Sequence, residues 1–381
     1  MANPTALRPT IKNLFTHTLN ASMLDYWLGK VNPSWSVDQA RATIVEREQA
    51  AVDSVSLVIK PNRHFKKPQA GQHIMVSAEV DGRRIARSYS CSSITGKPEL
   101  LEITIKQVSG GKLSQWLCQH AAVGDVLQLD QPFGELQWPS GDQSVQSVLL
   151  LAAGSGITPM ISLLRQYLNQ HNSQPVQLHY WVSKREQACF VAELDALSKM
   201  AANFSFCLYL TQQDAQTNDK KSSLQPYDQS YERQGRIDAS HFAEVTNLSN
   251  TAVLACGSAA FVASAQQLLQ PQVASWQAEA FSPPQLPVFD ATNDQQQTVQ
   301  ILLQKQQRSI SVPVGQSILT ALENEGIEHP SGCRMGLCNT CACGKVSGTT
   351  QHLISGDQQS DAESALRVCV STAQTDLVLD I

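Results

Sequence analysis

Val148-Leu149-Leu150-Leu151-Ala152-Ala153-Gly154-Ser155-Gly156-Ile157-Thr158-Pro159 begins as an apolar run without alternation and ends in a glycine turn. Such a run is a strand buried on both faces, as in a parallel sheet covered by helices. Met160, Ile161, Leu163, Leu164, Tyr167 and Leu168 then recur at helical spacing, and Pro159 suits the first helical turn, where its missing N–H costs nothing. Strand, glycine turn and helix start, in that order, aim free N–H groups and the helix dipole at one point, which suits a pyrophosphate. A lone G-x-G is weak by itself, but the alternation continues. Strands are expected at Val176–Ser183, Phe204–Thr211 and Thr251–Gly257, with helices between, which is a doubly wound α/β pattern. Cys256-Gly257-Ser258 closes the last of these strands before a helix near Ala259, so a second glycine turn is expected at the same ligand-binding edge of the sheet. Periodicity alone makes Cys256 an ordinary core thiol.

Upstream, Ala40 to Leu136 alternates in short stretches: Ser54–Ile59, His73–Val80, Leu100–Ile105 and Val126–Leu129. Turns at Asp81-Gly82, Gly110-Gly111 and Gly124-Asp125 separate some of them, and the pattern fits a small antiparallel barrel. Arg87-Ser88-Tyr89-Ser90 falls between the expected strands. An arginine fork can hold a phosphate, a tyrosine ring can lie on an isoalloxazine, and a serine hydroxyl can bond a flavin nitrogen. Taken alone, an ordinary polar strand explains these residues better. Gly110-Gly111-Lys112-Leu113-Ser114 then opens a helix whose N–H groups suit a flavin pyrophosphate.

Downstream, Cys333, Cys338 and Cys341 are spaced C-x4-C-x2-C, and Cys369 follows much later. That spacing is a signature of a [2Fe–2S] cluster, with Gly332 and Gly336 letting the loop turn closely. Zinc would ask for two paired C-x2-C-like motifs. Disulfides are disfavoured because ten cysteines in a long chain without a signal peptide suit a reducing compartment. Cys343 reads as a spare thiol, and Cys91, Cys118, Cys189, Cys207 and Cys256 are scattered as core residues are.

At 381 residues, two or three domains are expected. The most apolar stretch, Val145 to Leu164, is broken by Gly154, Gly156 and Pro159, so no membrane span is expected. The net charge of −5 argues against nucleic acid. From Asp290 onward there are ten acidic and five basic residues, against 23 of each before it, so the excess negative charge sits on the cysteine-bearing segment. That could steer docking of a basic redox partner, an ordinary solvated face being the plain alternative. Ser282 to Gln297 reads as a linker and Gln212 to Gln234 as a long surface loop. The expected divisions are 1–38 (extension), 39–140 (barrel), 145–281 (nucleotide domain), 282–297 (linker) and 298–381 (cluster domain).

The blocks occur in a fixed order: R-x-Y-S at Arg87–Ser90, G-G-K-x-S at Gly110–Ser114, Pro132-Phe133-Gly134, G-x-G-x-x-P at Gly154–Pro159, Cys256-Gly257, and the four cysteines. From about Ala40 on, the chain resembles the ferredoxin–NADP reductase superfamily, in the subgroup with a C-terminal plant-type ferredoxin domain. The resemblance implies an NAD(P)H-dependent oxidoreductase holding FAD and a [2Fe–2S] cluster. Arg87, Ser88, Tyr89 and Ser90 would contact the flavin, Thr104, Ile105 and Lys106 would line it through backbone, and Gly111, Lys112, Leu113 and Ser114 would bind its pyrophosphate. Gly154, Gly156, Thr158, Pro159 and Gly257 would cradle the pyridine nucleotide, while Ser90 and Cys256 would shape the pocket where hydride passes. Cys333, Cys338, Cys341 and Cys369 would hold the cluster. A β-grasp C-terminal domain follows, with strands at Thr298–Leu303, Ser309–Val314 and Asp376–Asp380 and a helix over Ser317–Asn324 stopped by Gly326.

Ser183-Lys184-Arg185 offers a cationic fork for a 2′-phosphate, which favours NADPH, two exposed basic residues opening a helix being the alternative. Met23–Leu28 and Asn32-Pro33-Ser34-Trp35, with Pro61-Asn62-Arg63 and Gly71-Gln72-His73, are similar to reductases serving membrane-bound acyl-CoA (stearoyl-CoA type) desaturases. The expected acceptor is such a desaturase. A soluble aromatic-ring or phenylacetyl-CoA hydroxylase is the second option and a non-enzymatic redox sensor the third. The extension is expected to be helical, with its apolar face packed on its own barrel or on a membrane partner. The expected location is the cytoplasm, with peripheral contact at the inner face of the membrane as a variant.

Overall fold

The computed structural model describes residues 21–94, 96–139, 144–170, 173–212, 231–281, 297–336, 338–353 and 356–381. The expected linker, except Gln297, lies outside these residues, as do residues 1–20 of the extension and 213–230 of the expected surface loop.

Helix α1 (Ala21–Val31) precedes six strands, β1 (Arg41–Ala51), β2 (Ser54–Pro61), β3 (His73–Val80), β4 (Arg83–Ile94), β5 (Lys97–Lys106) and β6 (Val126–Leu129). They close into a barrel in the order β1-β2-β5-β4-β3-β6. Period-two alternation turns Ile44, Val55, Leu57, Ile59, Ile74, Val76, Ile103, Ile105 and Leu127 into its core, each at most 1% exposed. Each contributes roughly 1.5–3 kcal/mol of burial. Helix α2 (Lys112–Gln119) plugs the barrel with Leu113 and Leu117, one turn apart. Arg87–Ser90, expected between strands, instead lie inside β4, where Ser90 faces His73 and Tyr89 faces Ile74. The polar run stays extended because β3 pairs with its backbone from Arg83 to Ser90, a bond pattern indifferent to side chains.

Strands β7 (Ser147–Ala153), β8 (Val176–Val182), β9 (Phe204–Leu210), β10 (Glu232–Gln234), β11 (Thr251–Gly257) and β12 (Ser275–Ala280) form one parallel sheet in the order β10-β9-β8-β7-β11-β12. Helices α3 (Ile157–Asn169), α4 (Val191–Met200) and α5 (Ala259–Leu269) accompany it. Strand order reverses between β7 and β11, which places the crevice at their C-terminal ends. Residues 232–234 correct the loop expected over 212–234: they are an edge strand paired with Leu208–Leu210. A short polar edge strand has a single neighbour and gives no apolar signal.

Arg165 on α3 locks the two domains together. It donates to Glu102 of β5 at 2.6 Å and Ser92 of β4 at 2.9 Å, and forks onto Glu193 of α4 at 2.6 and 2.7 Å. Burial alone would weaken its hold on the proton, but the Glu193 and Glu102 carboxylates more than reverse this and raise its pKa.

The C-terminal region holds β13 (Thr298–Leu303), β14 (Arg308–Pro313), α6 (Ile318–Asn324), β15 (Ala342–Ser347), β16 (Thr350–His352), β17 (Gln358–Gln359), β18 (Glu363–Arg367), β19 (Ser371–Ala373) and β20 (Leu377–Leu379). A mixed sheet, β14-β13-β20-β15-β18, packs Ile301, Leu303, Val312 and Leu379 against Ile318 and Leu322 of α6. Ser317 caps that helix by accepting from the Thr320 N–H at 3.2 Å, and Gly326 ends it at φ +70°.

Helix α1 corrects one expectation. Of its apolar residues, Met23, Tyr26, Trp27 and Val31 are 52–74% exposed rather than packed on the barrel, while Leu24 and Leu28 are half-buried. The inward residue is Asp25, which accepts from the Ser36 hydroxyl at 2.9 Å and the Val37 N–H at 2.6 Å and pairs with Arg41 at 3.6 Å. This polar anchor fixes the roll of the helix and turns the stripe outward.

Candidate functional site

Gly154 and Gly257 end the adjacent strands β7 and β11, and the two turns touch. A Cβ on Gly156 would run into the carbonyl of Cys256, and one on Gly257 would lie 2.8 Å from Ala153 and Phe261 side chains. Only glycine lets the backbones close here, and what remains is a cradle of the kind a pyrophosphate fills. The turn opens on a cleft lined by Gly154, Ser155, Ile157 and Thr158 on one side and by Ser54, Thr104 and Lys106 of the barrel on the other. Residues expected to serve nucleotide and flavin thus share one cleft. Pro159 sits in the first turn of α3 and is buried.

Gln187 and Asp53 also belong here and escaped the sequence reading. Gln187 donates to Asp53 at 2.9 Å, Asp53 pairs with Lys106 at 3.4 Å, and the Gln187 carbonyl oxygen is buried with no hydrogen-bond partner among the described residues.

On the barrel, Ser90 is 5% exposed and its hydroxyl also lacks a partner among the described residues. A buried orphan hydroxyl on an otherwise paired strand fits a group that is to be bound beside it, as a flavin ring nitrogen would be. Arg87 is exposed, and among the described residues its guanidinium donates only to the Ala86 carbonyl, which suits it to meet an anion. Tyr89 is shielded enough that its hydroxyl pKa is raised, first by burial and then by Cys118. Thr104 shares a 2.6 Å bond with Ser56, and Ile105 is core. Gly111 caps α2 without a side chain, while Ser114 donates back to Gly111 O at 3.0 Å and accepts from Val108 N–H. Lys112 and Leu113 begin the helix, Leu113 fully inward.

Two further residues join these parts. His73 Nε2 lies 2.5 Å from Glu279 Oε2, with both side chains buried, and the bond crosses from β3 to β12. His73 is the register partner of Ser90, and Glu279 that of Cys256. Phe133 and Phe281 meet the imidazole edge-on at 6.0 and 5.5 Å. Cys256 itself is fully buried, and burial, then Glu279, holds its thiol pKa well above the usual range. Its sulfur stays protonated and its contribution is shape. A carboxylate next to the last residue of the apolar-flanked strand Ser275–Ala280 is the one sequence signal for this junction.

Ser183 and Arg185 follow β8 as expected, but the Arg185 guanidinium is engaged by Glu232 of β10.

In the cluster loop the four cysteines fall into two couples. Cys333 Sγ accepts from the Cys338 N–H at 3.3 Å and from Met335 N–H at 3.4 Å, and Cys338 Sγ accepts from Cys333 N–H at 3.2 Å. The Cys333 S–H holds Cys338 down at about 5, and Cys369 likewise holds Cys341 at about 7, while the donating thiols are pushed up. Two neighbouring pairs of sulfurs, with one thiol of each pair already lowered, fit the four-thiolate set that a [2Fe–2S] cluster would need. Among the described residues, no three His, Cys, Asp or Glu converge as on a single ion. Arg334, Gly336 and Asn339 all take positive φ, which wraps the loop around its own sulfurs. A Cβ on Gly332 would lie 2.8 Å from Cys338 Sγ and 3.1 Å from Met75 Cε of β3, so the loop is seated on the barrel. Cys343 is buried in the cluster-domain core.

Comparison with known proteins bears on the same three parts. Residues 41–138 match the oxidoreductase FAD-binding domain, 150–267 the oxidoreductase NAD-binding domain, and 301–374 the 2Fe-2S iron-sulfur cluster binding domain. The chain is a ferredoxin-reductase-type oxidoreductase with a 2Fe-2S domain. The reductase uses FAD, a [2Fe–2S] cluster and NAD(P)H. It is 28% identical over 364 residues to an NADPH oxidoreductase of Mycobacterium tuberculosis, covering 94% of this chain and 88% of that one. It is 26% identical to a glycine betaine monooxygenase reductase subunit of Pseudomonas aeruginosa, covering 84% and 88%. Its fold matches that of phthalate dioxygenase reductase with a TM-score of 0.52 at 23% identity, over 90% of this chain and 97% of the other. Among the described residues no helix is long and apolar enough to cross a membrane.

Proposed function

We propose that the reductase binds NADPH at the Gly154–Gly156 and Gly257 turns, takes hydride from it beside Cys256, and passes electrons out through the Cys333, Cys338, Cys341 and Cys369 loop to a membrane-bound fatty acyl-CoA desaturase. When bound, FAD supplies the conversion between two-electron and one-electron chemistry. The chain's own residues supply placement. The glycine turns bind phosphate through backbone N–H groups, Ser90 offers its hydroxyl to the flavin ring, and Arg87 meets the flavin phosphate. Cys256 bounds the nicotinamide pocket with an unionised sulfur. His73, Glu279, Phe133 and Phe281 close the junction against water.

Strand β3 carries this reading. His73 at its start touches the nucleotide sheet through Glu279, and Met75, two residues on, touches the cluster loop at Gly332. Entry and exit therefore flank one strand. NADPH is favoured because Arg185 keeps 37% of its side chain exposed beside Glu232, so a 2′-phosphate can take the carboxylate's place. The acidic face of the cluster domain is the proposed docking side for the acceptor.

A second reading, the reductase component of a soluble hydroxylase, is supported by the Pseudomonas relative, a monooxygenase reductase subunit. Steady-state reduction of cytochrome c with NADPH and NADH, followed by reconstitution with desaturase-containing membranes or a soluble hydroxylase, separates the two. Turnover of the desaturase with NADPH is the expected result. Electron flow to hydroxylases alone would move the acceptor to the second class. Cys338→Ser is expected to lose cytochrome c reduction by on the order of tenfold or more while ferricyanide reduction at the flavin persists.

A further inference from the structure

Helix α1 half-buries Leu24 and Leu28 beside Asp25 but turns its other large apolar side chains outward. Met23, Tyr26, Trp27, Lys30 and Val31 follow the i, i+3, i+4, i+7, i+8 spacing of one helical stripe, and all are exposed. Trp35 and Val37, just beyond the helix, are 51% and 37% exposed and extend the same surface. The Lys30 ammonium stands 5.4 Å from the Tyr26 ring centre, and Tyr26 and Trp27 meet edge to face at 5.4 Å. An aromatic stripe left in water is costly, and the buried Asp25 anchor shows that this roll of the helix is held in place.

The charge beside the stripe is cationic. The β2–β3 connection is fastened to the extension by Asn62, which donates to Ser34 O at 3.1 Å and Gln39 O at 3.0 Å, and by a 3.0 Å bond between His64 Nε2 and Ser36 O. Within 21–38 and 60–69 the exposed charges are Lys30, Lys60, Arg63, Lys66 and Lys67 against Asp38 alone. No acidic residue occurs from Ser54 to Ala78. Tryptophan, tyrosine and aliphatic side chains edged by lysine and arginine match a phospholipid interface with anionic headgroups. An acidic cluster domain at one part of the chain and this basic, aromatic part at another also make the molecule electrically polar.

The surface lies near the electron exit. Gln131 accepts from Lys66 N–H at 3.0 Å and donates to His64 O at 2.9 Å, and its neighbour Asp130 donates its N–H at 3.0 Å to the carbonyl of Met75, whose side chain meets the cluster loop at Gly332. A bilayer holding the basic connection would therefore hold the cluster loop close to the membrane surface.

We infer that α1, Trp35 and the Arg63–Lys67 connection form a peripheral anchor for anionic phospholipid bilayers. This deepens the membrane-acceptor reading and takes its motive from it, but lipid binding is read without any acceptor, so the two can fail separately.

The test is co-sedimentation of the full-length holoenzyme with phosphatidylcholine vesicles and with vesicles that also contain phosphatidylglycerol. Binding to the anionic vesicles is expected, weakening with added salt and accompanied by a blue shift of tryptophan emission. Tyr26→Ser/Trp27→Ser and, separately, Arg63→Gln/Lys66→Gln/Lys67→Gln should each weaken binding by about tenfold, with NADPH–ferricyanide activity kept. Absence of binding to anionic vesicles, or binding that ignores both sets of substitutions, overturns the inference. It is also overturned if binding appears only after removal of residues 1–20, or if the aromatic residues instead drive lipid-free self-association seen by sedimentation velocity. The first of these would make the stripe a seat for the chain's own N-terminus and the second an interface between copies.

Discussion

His73 Nε2 stands 2.5 Å from Glu279 Oε2, so a single bond ties the first residue of a barrel strand to the last strand of the nucleotide sheet. Each partner keeps one buried polar atom without a hydrogen bond among the described residues, His73 Nδ1 and Glu279 Oε1. The pair is buried on both sides, which leaves each group dependent on the other.

Removing one partner of such a pair should cost more than removing both. Glu279→Ala is expected to destabilise the holoenzyme by about 3 kcal/mol, within the range for breaking a buried pair. His73→Phe/Glu279→Leu should recover at least about 1 kcal/mol of that loss. Urea unfolding of the single and double variants, followed by circular dichroism, measures the coupling. Additive losses would show that the two residues act separately.

Gly156→Ala forces a methyl group into the Cys256 carbonyl, backbone against side chain, at the contact between the β7 and β11 turns. The turn must shift to accept it. The expected result is a KM for NADPH raised by on the order of tenfold, with flavin content unchanged because the barrel is not touched. Flavin absorbance per chain and initial rates at varied NADPH test both halves.

Glu232 competes with a nucleotide phosphate for Arg185. Glu232→Gln should weaken the competing charge beside the guanidinium and raise the NADPH-to-NADH preference in kcat/KM by about fivefold, whereas Arg185→Ala should lower it. An unchanged ratio in both variants would remove Arg185 from cofactor selection.

His179 on β8 is stacked on Phe242 at 5.6 Å, and burial, then His241, lowers its pKa from 6.5 to about 4. The unfolded chain therefore binds this proton more readily than the folded one between those two values. Stability present above pH 6.5 is lost as pH falls toward 4, by about 3 kcal/mol in all. Trp181, 5.9 Å from the imidazole, reports the transition by its fluorescence, and His179→Gln should flatten the pH dependence of the urea midpoint.

Much of the architecture was legible because hydrophobic period and turn chemistry agree. Val148–Gly154 ran long and apolar and became β7, His73–Val80 alternated and became β3, and Ser317 and Gly326 bracketed α6. Arg87–Ser90 was misplaced between strands because cross-strand backbone pairing leaves no mark on side-chain pattern. Residues 232–234 were missed for the reason that hides polar edges generally. The cysteine spacing revealed the cluster loop, but its two couples and its seat on Met75 needed coordinates. His73 and Glu279, 206 positions apart, meet through the packing of two domains, which local sequence does not encode. The outward roll of α1 was decided by one buried carboxylate, Asp25, outweighing a larger apolar area.

His73 and Met75 are two positions apart on an extended strand, about 7 Å of backbone. A short, stiff beam thus has the nucleotide sheet at one bearing and the cluster loop at the other. A displacement of either bearing must therefore be taken up by the same few peptide bonds.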